Sequence, residues 1–159
     1  MDINKPNASQ GVVSPSLLAE HPLAHLVIPF EKVDYARRGV HFEARVEPAQ
    51  VVLAAALMEQ EGFALDAVTG VDWPQDNQME IVYDFFHPMM GWRTAVRTRV
   101  RRDLPEVPSI EHIYPGANWH EREAWEFFGI HFSGHPQLTP LLLPDDADYH
   151  PLRKDFAVA

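Results

Sequence analysis

Cysteine is absent from the 159 residues. That excludes disulfides, thiolate nucleophiles, thiolate zinc sites and cysteine-ligated iron–sulfur clusters within the chain. Long apolar runs are missing as well. The longest, Val51 to Met58, falls far short of the roughly 20 residues that span a bilayer. Positive charge is scarce: 13 Lys and Arg stand against 23 Asp and Glu, a net charge of −10. Nucleic acid and anionic lipid are therefore disfavoured as main partners. No glycine-rich phosphate loop and no GxSxG elbow occurs. The first fifteen residues have no basic region leading into an apolar stretch, so no targeting segment is read there.

What is present is ordinary for a globular chain, with 46% hydrophobic and 23% charged residues. The length suits one domain with a real core. Proline is in excess at 14 residues, against a usual share of about 5%.

The pattern along the chain predicts an α+β fold: a mostly antiparallel sheet with packed helices, followed by an extended Pro-rich C-terminal arm. Residues 1–14 read as a flexible lead-in, 15–129 as the α+β domain and 130–159 as the arm. A short helix is predicted over Ser16 to His25. Gly39 to Val46 alternates as a strand, and Pro48 opens a helix ending near Gly62. Phe63 to Trp73 is extended. Met79 to Phe85 and Trp92 to Arg102 alternate with period two around a His87–Gly91 turn, which predicts an antiparallel hairpin. Asn118 is the expected N-cap of a helix that Gly129 stops, with Glu121 completing a capping box. Seven prolines lie between Pro105 and Pro151. They forbid long regular elements there. Phe132, Leu138 and Leu141 to Leu143 nevertheless carry too much apolar surface for a solvated tail.

Three constellations invite chemistry. His120-Glu121 starts like a zinc-protease helix, but Ala124 stands where the second His is needed. His112, His120, His131, His135 and His150 would have to converge in space to hold a metal, and hydrogen-bonded or surface histidines are the blander alternative. Residues 93–102 carry five arginines and no acid. Arg93, Arg97, Arg99 and Arg101 share a strand face, which is either a solvated sheet surface or a docking face for an acidic partner. The helix from Trp119 to Phe128 is apolar around nearly its whole circumference and should be buried. Glu121 and Glu123 point about 200° apart, so they cannot flank one substrate. Glu123 and Glu126 share a face that suits a proton relay or an ion-pair network.

The run Ala117-Asn-Trp-His-Glu-Arg-Glu-Ala-Trp-Glu-Phe-Phe-Gly-Ile-His-Phe-Ser-Gly-His-Pro136 continues through Leu141-Leu-Leu-Pro-Asp-Asp146 to His150-Pro-Leu-Arg-Lys-Asp-Phe156. It resembles the signature of the thirty-kilodalton subunit family of respiratory complex I, known in bacteria as the C-type component of NADH–quinone oxidoreductase. Glu121, Arg122, Glu123, Gly129, His135, Pro136, Arg153, Lys154 and Asp155 are the family-pattern positions, assigned to fold and interface. The sequence departs from the pattern at Glu126, Thr139, Pro140, Ala147 and Tyr149. The resemblance implies a structural subunit with no catalytic, cofactor or metal residues of its own. Flavin and iron–sulfur clusters, or a nickel–iron centre in related hydrogenases of the formate hydrogenlyase type, would belong to partner subunits. The implied partners are the quinone-site large subunit (the forty-nine-kilodalton type) and the subunit with the terminal iron–sulfur cluster. The implied location is the cytoplasmic side of the bacterial inner membrane, reached through the complex. A stand-alone histidine-dependent metalloprotein is the rival class.

Overall fold

A computed structural model describes residues 21–157. The predicted lead-in at 1–14 and the first part of the predicted Ser16–His25 helix lie outside them. From His21 onward the backbone makes turns rather than a helix, with Ala24 N–H donating to His21 O and Leu26 N–H to Leu23 O.

Strand β1 (Glu31–Lys32) leads to the one-turn helix α1 (Tyr35–Arg38). Asp34 caps α1 by accepting the Ala36 N–H, and Gly39 ends it in the left-handed region. Strand β2 (Phe42–Arg45) follows, shorter than the predicted Gly39–Val46 because Gly39 and Val40 belong to the turn out of α1. A 3₁₀ turn at Pro48–Gln50 opens helix α2 (Val51–Gln60). Strands β3 (Ala64–Trp73), β4 (Gln78–Phe86) and β5 (Arg93–Arg101) form the long meander that period-two alternation predicts. Short β6 (Glu106–Pro108), helix α3 (Ala117–Phe128) and β7 (His131–Ser133) complete the elements.

The main sheet has the order β1-β2-β5-β4-β3. It is mixed, which corrects the mostly antiparallel expectation: β2 runs parallel to β5, pairing Phe42 with Thr94 and Arg45 with Arg97. The connection between them carries α2 and the whole β3–β4 hairpin, long enough for the crossover that parallel pairing needs. The small β6–β7 pair is parallel too.

Alternation sorts the strands onto two faces. Met79, Ile81, Tyr83, Phe85, Val96, Val100, Phe42 and Ala44 point inward and bury against Val51, Ala54, Ala55 and Met58 of α2. The α3 helix lies against β3, its approach set by Gly70: a Cβ there would stand 2.6 Å from the Phe128 ring. The opposite face carries a small cluster of Val40, Val82 and Ala95, bordered by charge.

Candidate functional site

Helix α3 starts one residue before the predicted cap. Gly116 precedes its first residue, and no side chain caps it. A tight turn does that work instead: Ala117 N–H donates to Tyr114 O at 2.8 Å and Asn118 N–H to Pro115 O at 3.2 Å. Glu121 is thereby released from capping and turns into the interior, fully buried. Its carboxyl accepts the Ser109 hydroxyl at 2.5 Å and the Ile110 N–H at 2.8 Å, tying the loop after β6 to the helix. Burial pushes this carboxyl up to about 7, against the pull of those two donors. The buried Tyr83 hydroxyl is pushed up by burial and by the Glu121 charge.

Glu126 is the second inward carboxylate. It accepts three consecutive backbone N–H groups, from Leu141 (3.2 Å), Leu142 (3.0 Å) and Leu143 (2.6 Å). Glu123 points the other way and is exposed. The expected Glu123–Glu126 relay or ion-pair network does not form. The expectation of an all-round buried helix is corrected as well. The side facing the core holds Ala117, Glu121, Ala124 and Glu126, while Trp119 is 62% exposed.

Residues 134–157 contain no helix or strand. They fold back onto α3 of their own chain. Arg122 donates to the carbonyls of Thr139 (2.9 Å) and Pro140 (2.7 Å). The carbonyls at the C-terminal end of a helix have no partners within it. Here His150 Nδ1–H donates to Glu126 O at 2.9 Å, Leu152 N–H to Phe127 O at 3.1 Å and Arg153 Nε–H to Phe128 O at 2.7 Å. The Arg153 guanidinium also suits the negative end of the helix. Gly129 makes this possible: its φ is +76°, and a Cβ would stand 2.6 Å from both Arg153 Nη2 and His150 Nε2.

The segment ends on a hub that sequence reasoning missed. Asp72 of β3 is buried and accepts two N–H groups of Arg102, at 2.7 and 3.0 Å, and the Lys154 N–H at 2.8 Å. Arg102 also donates to Asp155 at 2.6 Å. The Arg102 fork, ahead of the opposing effect of burial, holds the Asp72 carboxyl below its usual range. Lys154 Nζ sits 5.4 Å above the Trp73 ring. His135 bonds the start of α3, donating from Nε2 to Asn118 O at 3.3 Å, and Pro136 is an exposed turn residue beside it. Eight of the nine family-pattern positions thus surround α3 and its return segment, with Glu123 outside on an exposed groove beside His120.

The arginine face lies on the outer side of the sheet, and each arginine meets an acid of this chain. Arg93 pairs with Asp66 and Arg101 with Asp103. Arg97 and Arg99 reach two buried glutamates that sequence reasoning left out. Arg97 stands 3.3 Å from Glu43 and 3.7 Å from Glu80, and Arg99 stands 3.5 Å from Glu80 and 3.2 Å from Asp76. Arg38 and Arg45 approach Glu43 at 2.5 and 3.4 Å. Burial works to raise the Glu43 carboxyl, but Arg38, Arg97 and Arg45 together take it below its ordinary value.

The histidines do not converge. Among the described residues no three His, Cys, Asp or Glu side chains form a group that could hold a metal ion. Among them, too, no helix is long and apolar enough to cross a membrane.

Fold and site together define a class: a small α+β domain whose buried carboxylates hold backbone and helix ends in place. Comparison with known proteins makes this specific. The chain belongs to the family described as "Respiratory-chain NADH dehydrogenase, 30 Kd subunit", whose profile matches residues 44–159. The C-type component of NADH-quinone oxidoreductase from Moorella thermoacetica is 43% identical over 123 residues, covering 76% of this chain and 83% of that protein. The C-type component of F(420)H(2) dehydrogenase from Methanosarcina mazei is 45% identical over 96 residues, covering 58% of this chain and 59% of its own length. Several other curated relatives are spanned over about half of their length. Among solved structures, a chain of the membrane-bound sulfane sulfur reductase, an archaeal respiratory membrane complex, superposes with a TM-score of 0.71 at 28% identity. That match covers 89% of this chain and 82% of the other. The trypsin-resistant fragment of Nqo5 gives a TM-score of 0.59 at 26% identity, over 70% of this chain and 89% of the fragment.

Proposed function

We propose that the chain is a structural subunit in the peripheral arm of a complex I-like NADH–quinone oxidoreductase. In this reading it supports electron transfer to quinone by holding the quinone-site large subunit and the subunit with the terminal iron–sulfur cluster. Flavin and iron–sulfur clusters belong to those neighbours, and the complex places the chain on the cytoplasmic side of the membrane. Family membership over residues 44–159 is the observation that carries this reading.

The return segment supports it physically. Its backbone is secured on α3, yet Leu142, Tyr149, Leu152 and Phe156 stay exposed. Apolar side chains held outward on a fixed backbone are what a partner surface covers. The arm therefore acts as a rigid ledge on its own helix that partner subunits grip.

A second reading keeps the scaffold and changes the complex. The likeness to the sulfane sulfur reductase and to the F(420)H(2) dehydrogenase component supports an equivalent place in a related respiratory complex; the membrane-bound nickel–iron hydrogenase type is the alternative that the sequence resemblance adds. Purification of the native complex through a tag on this chain separates the two. Bound flavin with NADH oxidation supports complex I proper, and nickel or F(420)H(2) oxidation supports the relatives. Recovery of the chain alone from membranes that retain NADH–quinone activity would overturn both.

A further inference from the structure

Glu123 stands apart from the other motif positions. Its eight companions surround α3 and the return segment, while Glu123 is exposed and turned away from them. Among the described residues no ion pair or hydrogen bond reaches its carboxylate. Arg122 beside it donates to the Thr139 and Pro140 carbonyls instead. What Glu123 does border is a groove of about 340 Å³ between α3 and β3.

One wall of this groove is the run Ala67, Val68, Thr69 and Gly70 of β3. Successive strand residues point to opposite faces, so a groove that touches all four runs along the edge of the sheet rather than over one face. That edge is free. Strand β3 ends the strand order and pairs with β4 alone. On its outer side the N–H and C=O groups of this run have no main-chain partner among the described residues. The other wall is a single helix stripe, His120, Ala124 and Phe128, spaced four residues apart, with the Phe128 ring against Gly70. Leu152 of the return segment joins it. A free strand edge that faces a helix stripe across a mostly apolar cleft is a geometry that admits an extended peptide as an added strand.

We infer that this groove takes an extended segment of a partner protein, paired with the free edge of β3 and holding a lysine or arginine against Glu123. Charge picks the occupant. No Lys or Arg lines the groove, and its titratable groups are Glu123 and His120. A cation on the incoming segment supplies the partner that Glu123 lacks within its own chain. A second copy of this chain sets a net charge of −10 against another −10, which opposes edge-to-edge pairing of two copies. The chain's own start approaches from elsewhere: His21 bonds the Phe30 carbonyl and packs on Phe42 of β2, with β5 and β4 lying between β2 and β3. The inference rests on the reading of the chain as one subunit of a larger complex.

The test uses the complex purified through a tag on this chain, with the diazirine analogue photo-leucine in place of Leu152. Illumination should link that position to one peptide of a partner subunit, and sequencing should find a lysine or arginine within three residues of the link. Glu123→Arg should cut the yield of the link about tenfold, and Glu123→Gln should cut it less. Backbone amides over 64–71 should exchange more slowly in the parent complex than in the Glu123→Arg complex, because an added strand covers main chain and a side-chain contact alone does not. A link to residues 1–20 of the same chain, to a second copy, or to a partner peptide without lysine or arginine overturns the inference. Equal exchange in the two complexes does so too. Subunits that co-purify without any link from position 152 defeat the groove and leave the subunit reading standing. A chain recovered without partners defeats the subunit reading and the groove with it.

Discussion

Asp72 and Arg102 form a two-point ion pair, at 2.7 and 3.0 Å, across thirty residues of chain. Both carboxylate oxygens are used, and one of them also receives the Lys154 N–H. The pair therefore joins the edge strand, the end of β5 and the return segment at one point. Asp72→Asn removes the charge while keeping the shape. Breaking a buried pair from one side costs about 3 kcal/mol. Denaturant unfolding should show that loss, and hydrogen exchange at Lys154 should quicken more than at the sheet amides.

Glu126 does for Leu141 to Leu143 what a cap does for a helix. Glu126→Ala leaves three N–H groups without an acceptor, a loss of roughly 2 kcal/mol for a charge-assisted site. Limited proteolysis should cut within 137–149 in the variant while the sheet stays intact. Unchanged cleavage would mean that the Arg122, His150 and Arg153 bonds hold the segment without the Glu126 carboxylate.

Glu121 gives stability an unusual pH dependence. Its carboxyl titrates near 7 in the folded chain and near 4.5 when unfolded. Below about 4.5 both states are protonated and the group has no effect on the balance. Between 4.5 and 7 the unfolded state ionises first, so stability falls as pH rises; above 7 the penalty is complete, on the order of 3 kcal/mol. Glu121→Gln mimics the protonated form. Melting temperatures across pH 4–9 should therefore flatten in the variant and exceed those of the parent protein at pH 8.

Gly129→Ala tests the helix end. A left-handed φ costs a residue with a Cβ roughly 1–2 kcal/mol. The added carbon also displaces the Arg153 and His150 side chains that cap α3. Thermal unfolding should register more than the backbone cost, and Leu152 should exchange faster.

The long elements were legible because their signals are local. Alternation over Met79–Phe85 and Thr94–Val100 needs only neighbouring residues, and so does the proline-led start of α2. Parallel pairing of β2 with β5 was not legible, since it joins residues far apart in the chain, such as Phe42 and Thr94, and leaves no mark on either strand's alternation. The same distance hid the ion pairs. The arginines of β5 read as a bare basic face because Glu43, Glu80 and Asp66 reach them from other strands. Around α3 the residue types were recognised and their roles were not. Glu121 fits a capping box in sequence, and the turn at Tyr114–Ala117 left it free to face inward. Arg153, Lys154 and Asp155 were visible as a motif, while their acceptors and donors Phe128 O, Asp72 and Arg102 were not.

The bond from Lys154 to Asp72 also bears on the order of folding. It closes a loop of 82 residues, whereas the β3–β4 and β4–β5 hairpins close over a few. Loop-closure entropy delays distant contacts, so the meander assembles early and the return segment docks late. The expected order has the last turn of α3, which that segment caps, gaining its protection after the sheet. Stopped-flow measurements on Asp72→Asn should therefore show faster unfolding with a nearly unchanged refolding rate.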